Sequence, residues 1–273
     1  MNFELFDMRG KYALITGASG FLGNTHSMAL AEIGFNLVLT DLDIERLELL
    51  RDKIQNIHPL IHILIFRMDV TSKPDIESVY TKLEEESINI SALVNNAAIN
   101  PLEKDLVANN RFENYDIDKL RSEMEVGIIG AVNCSQVFGR QMLKRSYGSI
   151  INIGSDLSII SPNQNLYFDP TSSLEEQKVK PVSYSIVKTA ILGFTRYLST
   201  YLAPWNIRVN TISPGGIFNK HNEEFSNRIS KLIPLGRMGF DWELKGALQF
   251  LSSDASTYVT GQNLVIDGGR TIW

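Results

Sequence analysis

Tyr12-Ala-Leu-Ile-Thr16-Gly17-Ala18-Ser19-Gly20-Phe21-Leu22-Gly23 is the stretch whose reading decides the fold. Tyr12–Thr16 is a short apolar run suited to a buried strand, and Phe21 to Ile33 has the length and pattern of a helix. Between them, Gly17, Gly20 and Gly23 let the chain turn tightly and bring backbone close to a pyrophosphate. The helix start adds unpaired N–H groups and a positive dipole end. A glycine-rich stretch alone is weak evidence, and an ordinary strand–helix turn is the competing reading. Here it follows the first strand and opens a helix, as phosphate binding requires. Gly17, Ser19, Gly20, Phe21, Leu22 and Gly23 are therefore candidate cofactor-binding residues.

The same alternation continues along the chain. Strands are expected at Asn36–Thr40, His62–Phe66, Ala92–Val94, Ser149–Ile153, Arg208–Ile212 and Asn263–Ile266. Helices are expected at Ile44–Ile57, Pro74–Glu86, about 116–145, Ser183–Tyr201 and Trp242–Leu251. Short apolar strands separated by helices imply a parallel sheet covered on both faces, an α/β, doubly wound, Rossmann-like three-layer sandwich. No repeat, low-complexity segment or linker interrupts the pattern, so one domain over residues 1–273 is expected. The irregular exception is about Leu157 to Val182, with Pro162, Pro170 and Pro181. A loop this long in a compact domain is usually functional.

The second strand runs into Asp41, eighteen positions after Gly23. A carboxylate there can accept both hydroxyls of an adenosine ribose and would repel a 2′-phosphate. No Arg or Lys lies in the glycine loop or directly after Asp41, which argues for NAD (NADH) over NADP. Asp41 could instead cap the next helix, though Asp43 is better placed to do so.

Tyr184 and Lys188 stand four apart near the start of a predicted helix and so share a face. A phenol with a pKa of about 10 is a sluggish acid–base group near neutrality, and a neighbouring cation is expected to lower that value. Tyr184 could then pass a proton to or from a carbonyl or alcohol oxygen. Alone, such a pair usually marks a solvated helix face. Ser155 follows the fifth strand, and strand carboxyl ends line the ligand crevice of an open α/β sheet. Its hydroxyl could steady charge on the reacting oxygen, or it could simply be a turn residue.

Composition excludes several alternatives. The formal charge of −5 gives no global attraction to nucleic acid or to an anionic membrane. Among the 273 residues no apolar stretch is long enough to span a bilayer. The start, Met1 to Arg9, lacks the basic region and apolar run of a signal peptide. Cys134 is the single cysteine, so no intrachain disulfide is possible, and the four histidines (His26, His58, His62 and His221) show no ligand spacing. No metal is expected, and a cytoplasmic protein is.

With these motifs in order, the sequence resembles the short-chain dehydrogenases/reductases over nearly its whole length. Asp69-Val70-Thr71 resembles the family's adenine-side motif, and Asn95-Asn96-Ala97-Ala98 its Asn-Asn-Ala-Gly. Pro214-Gly215 resembles the turn lining the nicotinamide, with Ile217 at the carboxamide end, and Gly261-Gln262 with Asp267-Gly268-Gly269 the C-terminal signature. The resemblance implies a seven-stranded parallel sheet ordered 3-2-1-4-5-6-7 and a homodimer or homotetramer. It adds Asp69, Val70, Asn96, Ala97, Ala98, Pro214, Gly215 and Ile217 to the cofactor contacts, gives Tyr184 and Lys188 cofactor contacts, and implies that Lys188 holds the nicotinamide ribose. The catalytic residues it implies are Ser155, Tyr184 and Lys188. The reaction is hydride transfer between NAD(H) and a carbonyl/alcohol pair.

Four departures qualify the match. Phe21 stands where short, single-domain members usually have Gly, a spacing more typical of the extended branch with its epimerases and dehydratases. Gly127 occupies the place of the usual catalytic asparagine, which anchors a water of the proton relay. Either another group substitutes or turnover is slow; alternatively Gly127 and Gly130 permit close helix packing. Asn219 replaces a frequent threonine. Finally, Ser155 and Tyr184 are twenty-nine positions apart, farther than usual, because of the inserted 157–182 loop. Asn163, Asn165, Tyr167 and Asp169 in that loop could bind a polyhydroxylated ligand, or the loop could be structural or an oligomer contact.

The insertion and the ending Asp267-Gly-Gly-Arg-Thr-Ile-Trp273 are similar to bacterial reductases of surface-glycan and flagellin-sugar modification, implying a small-molecule sugar or sugar-nucleotide substrate. Residues 217–238 correspond to the family's substrate lid. Lys220 or Arg228 there could meet a phosphate, though surface solvation explains these charges equally well. The alternatives are epimerase or dehydratase chemistry with internally recycled NAD, and a non-catalytic NAD-binding sensor.

Overall fold

The computed structural model describes residues 4–100 and 110–273, so Met1–Phe3 of the amino-terminal stretch lie outside the described residues. Seven strands form one parallel sheet: β1 (Tyr12–Thr16), β2 (Asn36–Asp41), β3 (Ile63–Arg67), β4 (Ile90–Asn95), β5 (Gly148–Ile153), β6 (Ile207–Pro214) and β7 (Asn263–Ile266). Their order is β3-β2-β1-β4-β5-β6-β7. The chain reverses direction of travel between β1 and β4, which opens the crevice at the strands' carboxyl ends where ligands of such sheets bind.

Among the described residues eight α-helices connect the strands: α1 (Phe21–Glu32), α2 (Ile44–Ile57), α3 (Lys73–Glu85), α4 (Ile117–Met124), α5 (Gly130–Arg145), α6 (Val182–Leu202), α7 (Glu223–Ser230) and α8 (Lys245–Ser252). Because successive strand residues face opposite ways, adjacent residues of β1 enter different cores. Ala13 and Ile15 pack with Leu30, Leu47, Leu248 and Leu251 on one face. Leu14 packs with Ile76, Val79, Phe138 and Met142 on the other. Burial on both faces explains why the strands read as continuous apolar runs rather than alternating ones. Local signals set the helix starts: Asp43 accepts the Arg46 N–H, and Ser72 accepts the Asp75 N–H ahead of a helix with Pro74 in its first turn. Among the described residues no helix is long and apolar enough to cross a membrane.

The structure refines the sequence reading in two places. The helix expected over about 116–145 is α4, a π-helical turn at Glu125–Ile129, and α5. Gly127 of that turn and Gly130 at the start of α5 both face close neighbours. A methyl group on Gly127 would collide with Val187 Cγ1 of α6, and one on Gly130 would lie 2.7 Å from Val70 Cγ2. Second, the polar 217–238 segment contains a helix, α7, whose Phe225 and Ile229 form a third core with Ile233, Met238 and Leu166. Leu166 belongs to the 157–182 loop, so loop and lid pack on each other. Arg228 ties them further by donating to the Phe168 carbonyl at 2.7 Å.

Candidate active site

A crevice of about 640 Å³ runs across the carboxyl ends of β1, β2, β4, β5 and β6. The glycine loop, Asp41, Asp69, Val70, Asn96, Ala97, Ala98, Ser155, Tyr184, Lys188, Pro214, Gly215 and Ile217 all line it. The turn after β1 depends on Gly17, whose φ of +62° belongs to the left-handed region. Its absent side chain also matters, since a methyl there would come within 2.9 Å of Ala97 Cα. Asn96 closes this turn from the neighbouring strand, its Nδ2 donating to the Thr16 and Gly17 carbonyls at 2.9 Å each.

Asp41 ends β2 beside the loop and accepts the Ser19 N–H at 3.0 Å and the Leu42 N–H at 2.8 Å. It does not cap α2; Asp43 does. The carboxylate is thereby fixed at the crevice wall, where a ribose diol would meet it. One cation missed by the sequence reading lies close by. Arg46, in the first turn of α2, also lines the crevice and pairs with Asp43 at 3.2 Å. Its place five residues after Asp41, on the facing turn of the next helix, was the available signal. Asp69 accepts the Thr71 N–H and hydroxyl at 2.9 and 2.7 Å, a local turn that holds the start of α3 at the crevice. The glycine cradle, the fixed carboxylate and the apolar wall of Val70 fit a dinucleotide.

At the other end of the crevice Tyr184 and Lys188 project from one face of α6, as their spacing predicts. Lys188 Nζ donates to the Ile153 carbonyl at 2.7 Å and lies 5.9 Å from the Tyr184 ring centroid. The expected lowering of the phenol's pKa is not what this arrangement gives. Burial pushes Tyr184 up to about 12; the Ser155 hydroxyl opposes this and the Asp156 charge adds to it. Lys188 is itself pulled down to about 8 by burial, and further by the charge of Lys180. Desolvation is therefore the largest influence on the phenol, and Tyr184 is held as a protonated donor.

Ser155 Oγ donates to Asp156 Oδ1 at 3.0 Å and accepts the Leu157 N–H at 3.2 Å. Asp156 in turn receives Arg270 Nη1 at 2.7 Å, with both side chains almost fully buried. Burial pushes the Asp156 carboxyl up, against the pull of Arg270 and Ser155. Arg270, from the C-terminal Asp267-Gly-Gly-Arg run, thus acts on Ser155 through Asp156, a role the sequence reading did not assign.

The substrate side differs from expectation. Of the four loop residues proposed to meet a hydroxylated ligand, only Tyr167 lines the crevice. Asn163 caps its own turn by accepting the Asn165 N–H at 3.0 Å, and Asp169 accepts the Thr171 N–H at 2.9 Å. These polar side chains are consumed in holding an irregular backbone, the usual fate of Asn and Asp in turns. Nor do Lys220 and Arg228 reach the crevice; Arg228 is taken by the Phe168 carbonyl and by Glu224 at 3.5 Å. The loop does bring one cation to the crevice, Lys180 at its end, beside Lys188 and Arg270. Its Nζ lies 4.0 Å over the Tyr184 ring and donates to Asn100 Oδ1 at 2.9 Å. Tyr184 is only four positions on, but Lys180 precedes α6, so helix spacing does not mark the pair, and Asn100 is brought in by the fold.

Comparison with known proteins agrees with this geometry. A family profile described as enoyl-(acyl carrier protein) reductase matches residues 17–271. An NAD-dependent glycerol dehydrogenase of Listeria innocua is 33% identical over 98% of this chain and 96% of its own length. The post-translational flagellin modification protein A of Campylobacter coli is 29% identical over 96% of this chain and 98% of its own. A crystal structure of a gluconate 5-dehydrogenase from Burkholderia cenocepacia, in complex with NADP and tartrate, superposes with a TM-score of 0.84. It is 28% identical, covering 98% of this chain and 97% of that one.

Proposed function

Since the chain belongs to the short-chain dehydrogenase/reductase family of oxidoreductases, we propose that it transfers a hydride between NAD(H) and the carbonyl/alcohol pair of a sugar or sugar nucleotide. The observation that carries this reading is the convergence of the glycine loop, Asp41, Ser155, Tyr184 and Lys188 on one crevice. Gly17, Ser19, Gly20, Phe21, Leu22 and Gly23 would hold the pyrophosphate, Asp41 the adenosine ribose, Asp69 and Val70 the adenine, and Lys188 the nicotinamide ribose. Asn96, Ala97, Ala98, Pro214, Gly215 and Ile217 would flank the nicotinamide half. When bound, the cofactor supplies or accepts the hydride at the substrate carbon.

The chain's own residues supply the proton. In reduction, the Tyr184 hydroxyl gives its proton to the oxygen as that oxygen gains charge; in oxidation it takes the proton back. Ser155 can donate to the same oxygen only by turning its proton away from Asp156, so the Asp156–Arg270 pair sets how readily it does so. Gly127 cannot anchor a relay water through a side chain, and its tight packing on Val187 leaves no room for one. Assembly as a homodimer or homotetramer and a cytoplasmic location go with this reading.

NADH and NADPH binding, followed by NADH consumption against keto-sugars and sugar nucleotides, tests it. Tight NADH, weak NADPH and turnover of one sugar class are expected. NADPH preference would transfer weight from Asp41 to Arg46. Conversion of a sugar nucleotide without net change in NADH absorbance would replace the reading with epimerase or dehydratase chemistry, and NADH binding without any turnover would replace it with a sensor.

A further inference from the structure

An ammonium drawn out of water needs compensating acceptors, and a fully donating lysine makes three hydrogen bonds. Lys180 is half-buried, and among the described residues the one hydrogen bond its ammonium makes is to a neutral amide, Asn100. Among the described residues the lysines engaged in ion pairs are Lys11, Lys144 and Lys245. The carboxylates whose charge reaches Lys180 are Asp156 and Glu123. Both are already engaged: Asp156 with Arg270 and Ser155, Glu123 with the Tyr115 hydroxyl at 2.8 Å. Lys188 is turned to the Ile153 carbonyl. Among the described residues beside the reacting phenol, Lys180, Lys188 and Arg270 therefore stand against Asp156 and Glu123, a surplus of one positive charge, and Lys180 carries it with donors to spare.

We propose that Lys180 binds a carboxylate of the substrate, so that the site takes a polyhydroxylated keto acid or hydroxy acid whose carboxylate lies a few bonds from the reacting carbon. This inference rests on the oxidoreductase reading of the same crevice. The short reach follows from geometry, because Nζ is 4.0 Å above the ring that bears the proton-donating hydroxyl. A monoanion matches the surplus of one charge. A phosphate dianion would call for further unpaired cations or a cluster of backbone N–H groups. Tyr167, Asn219 and His221 also line the crevice, and the hydroxyl groups of such a substrate would meet them.

The groups facing Lys180 are Asn100 after β4, Asp156 after β5, Glu123 on α4, and Tyr184 and Lys188 on α6, with Arg270 behind Asp156. Burial pulls Lys180 down to about 8, while Asp156 and Glu123 hold it up. Carboxylate recognition is therefore present at neutral pH and fades as pH rises through about 8.

The test is calorimetric binding to the NADH-loaded protein of two matched pairs, gluconate against sorbitol and glucuronate against glucose, with glucose 6-phosphate alongside. NADH binding is read separately by fluorescence for every variant. A charge-assisted contact of this kind makes the acid of each pair bind about tenfold tighter or more. Lys180→Met collapses that ratio, whereas Lys180→Arg keeps it and also keeps it above about pH 9, where the wild-type ratio falls. Equal binding of acid and neutral partner, including no binding of either, overturns the proposal. So does a preference for the phosphate, or an acid preference that survives in Lys180→Met. If the wild-type protein fails to bind NADH, the oxidoreductase reading itself fails; intact NADH binding with no acid preference overturns the carboxylate alone.

Discussion

The two ends of the crevice are built in different ways. The cofactor end is assembled from backbone: a left-handed turn at Gly17, the Ser19 N–H on Asp41, and Asn96 reaching two carbonyls of the adjacent strand. Each contact joins the ends of neighbouring strands, so the sheet itself sets the spacing. The substrate end is assembled from side chains that are remote in sequence. Asp156 meets Arg270, Leu166 meets Phe225 and Ile229, and Lys180 meets Asn100. Its small core is separate from the two that flank the sheet. A rigid sheet edge thus presents a constant ligand, while a separately packed cap can change its substrate without disturbing the sheet.

The sharpest test of this division is Tyr184→Phe, which deletes the proposed proton donor and leaves the glycine loop and Asp41 untouched. NADH consumption should fall by roughly 10²–10⁴-fold with NADH affinity little changed. Full activity would remove Tyr184 from the reaction and leave the crevice without an acid.

Arg270→Met probes the substrate end. It leaves Asp156 buried without its cation, which costs about 3–5 kcal/mol and lowers the melting temperature by 6 °C or more. Asp156→Asn added to Arg270→Met should recover part of that loss, because the uncompensated charge is gone. A double variant as unstable as the single would mean that packing of Arg270, and not its charge, holds the C-terminal segment.

The cofactor end should carry its own acid sensitivity. His26 is fully buried in α1, and burial pulls it down to about 4 against a partial opposing effect of Asn96. The unfolded chain takes up this proton near the ordinary 6.5, whereas the folded chain stays neutral until about 4. Stability is therefore full above that upper value and is lost as pH falls between the two, by about 3 kcal/mol. Urea unfolding between about pH 7.5 and pH 4 measures this loss, and His26→Met should flatten it. An unchanged slope in the variant would place the acid sensitivity elsewhere.

The smallest expected effect joins the two ends. Gly127→Asn restores the residue common in the family, yet collision with Val187 should destabilise the fold by about 1–3 kcal/mol without raising the turnover rate. Adding Val187→Ala should relieve the strain. Faster turnover in Gly127→Asn would show that the missing relay, and not the packing, governs the rate.

Much of the cofactor end was legible in the sequence because its determinants are local. Gly17 and Gly23 follow an apolar run, Asp41 ends the next one, and each residue's position relative to its strand places it at the sheet edge. The spacing of Tyr184 and Lys188 sufficed for the same reason, since one helix carries both. The energetic balance between them was not legible. Lys188 was expected to lower the phenol's pKa, and burial instead raises it, because the depth of a residue depends on what packs over it. The polar residues of the 157–182 loop misled in a similar way. Asn163 and Asp169 have the chemistry to bind hydroxyls but are spent on their own turns.

The sequence by itself determined the parallel sheet, the crevice at its carboxyl edge, the glycine cradle and the Tyr184–Lys188 pair. In each case strand and helix periodicity carries a residue's direction over a few positions. Only the tertiary structure decided that α7 and the 157–182 loop share a core, that Arg270 braces Ser155 through Asp156, and that Lys180 stands over the Tyr184 ring. Asp156 and Arg270 stand 114 positions apart, and Lys180 is set beside Tyr184 by its hold on Asn100, 80 positions away. Local pattern carries no information about such pairs, and chain closure and packing bring them together.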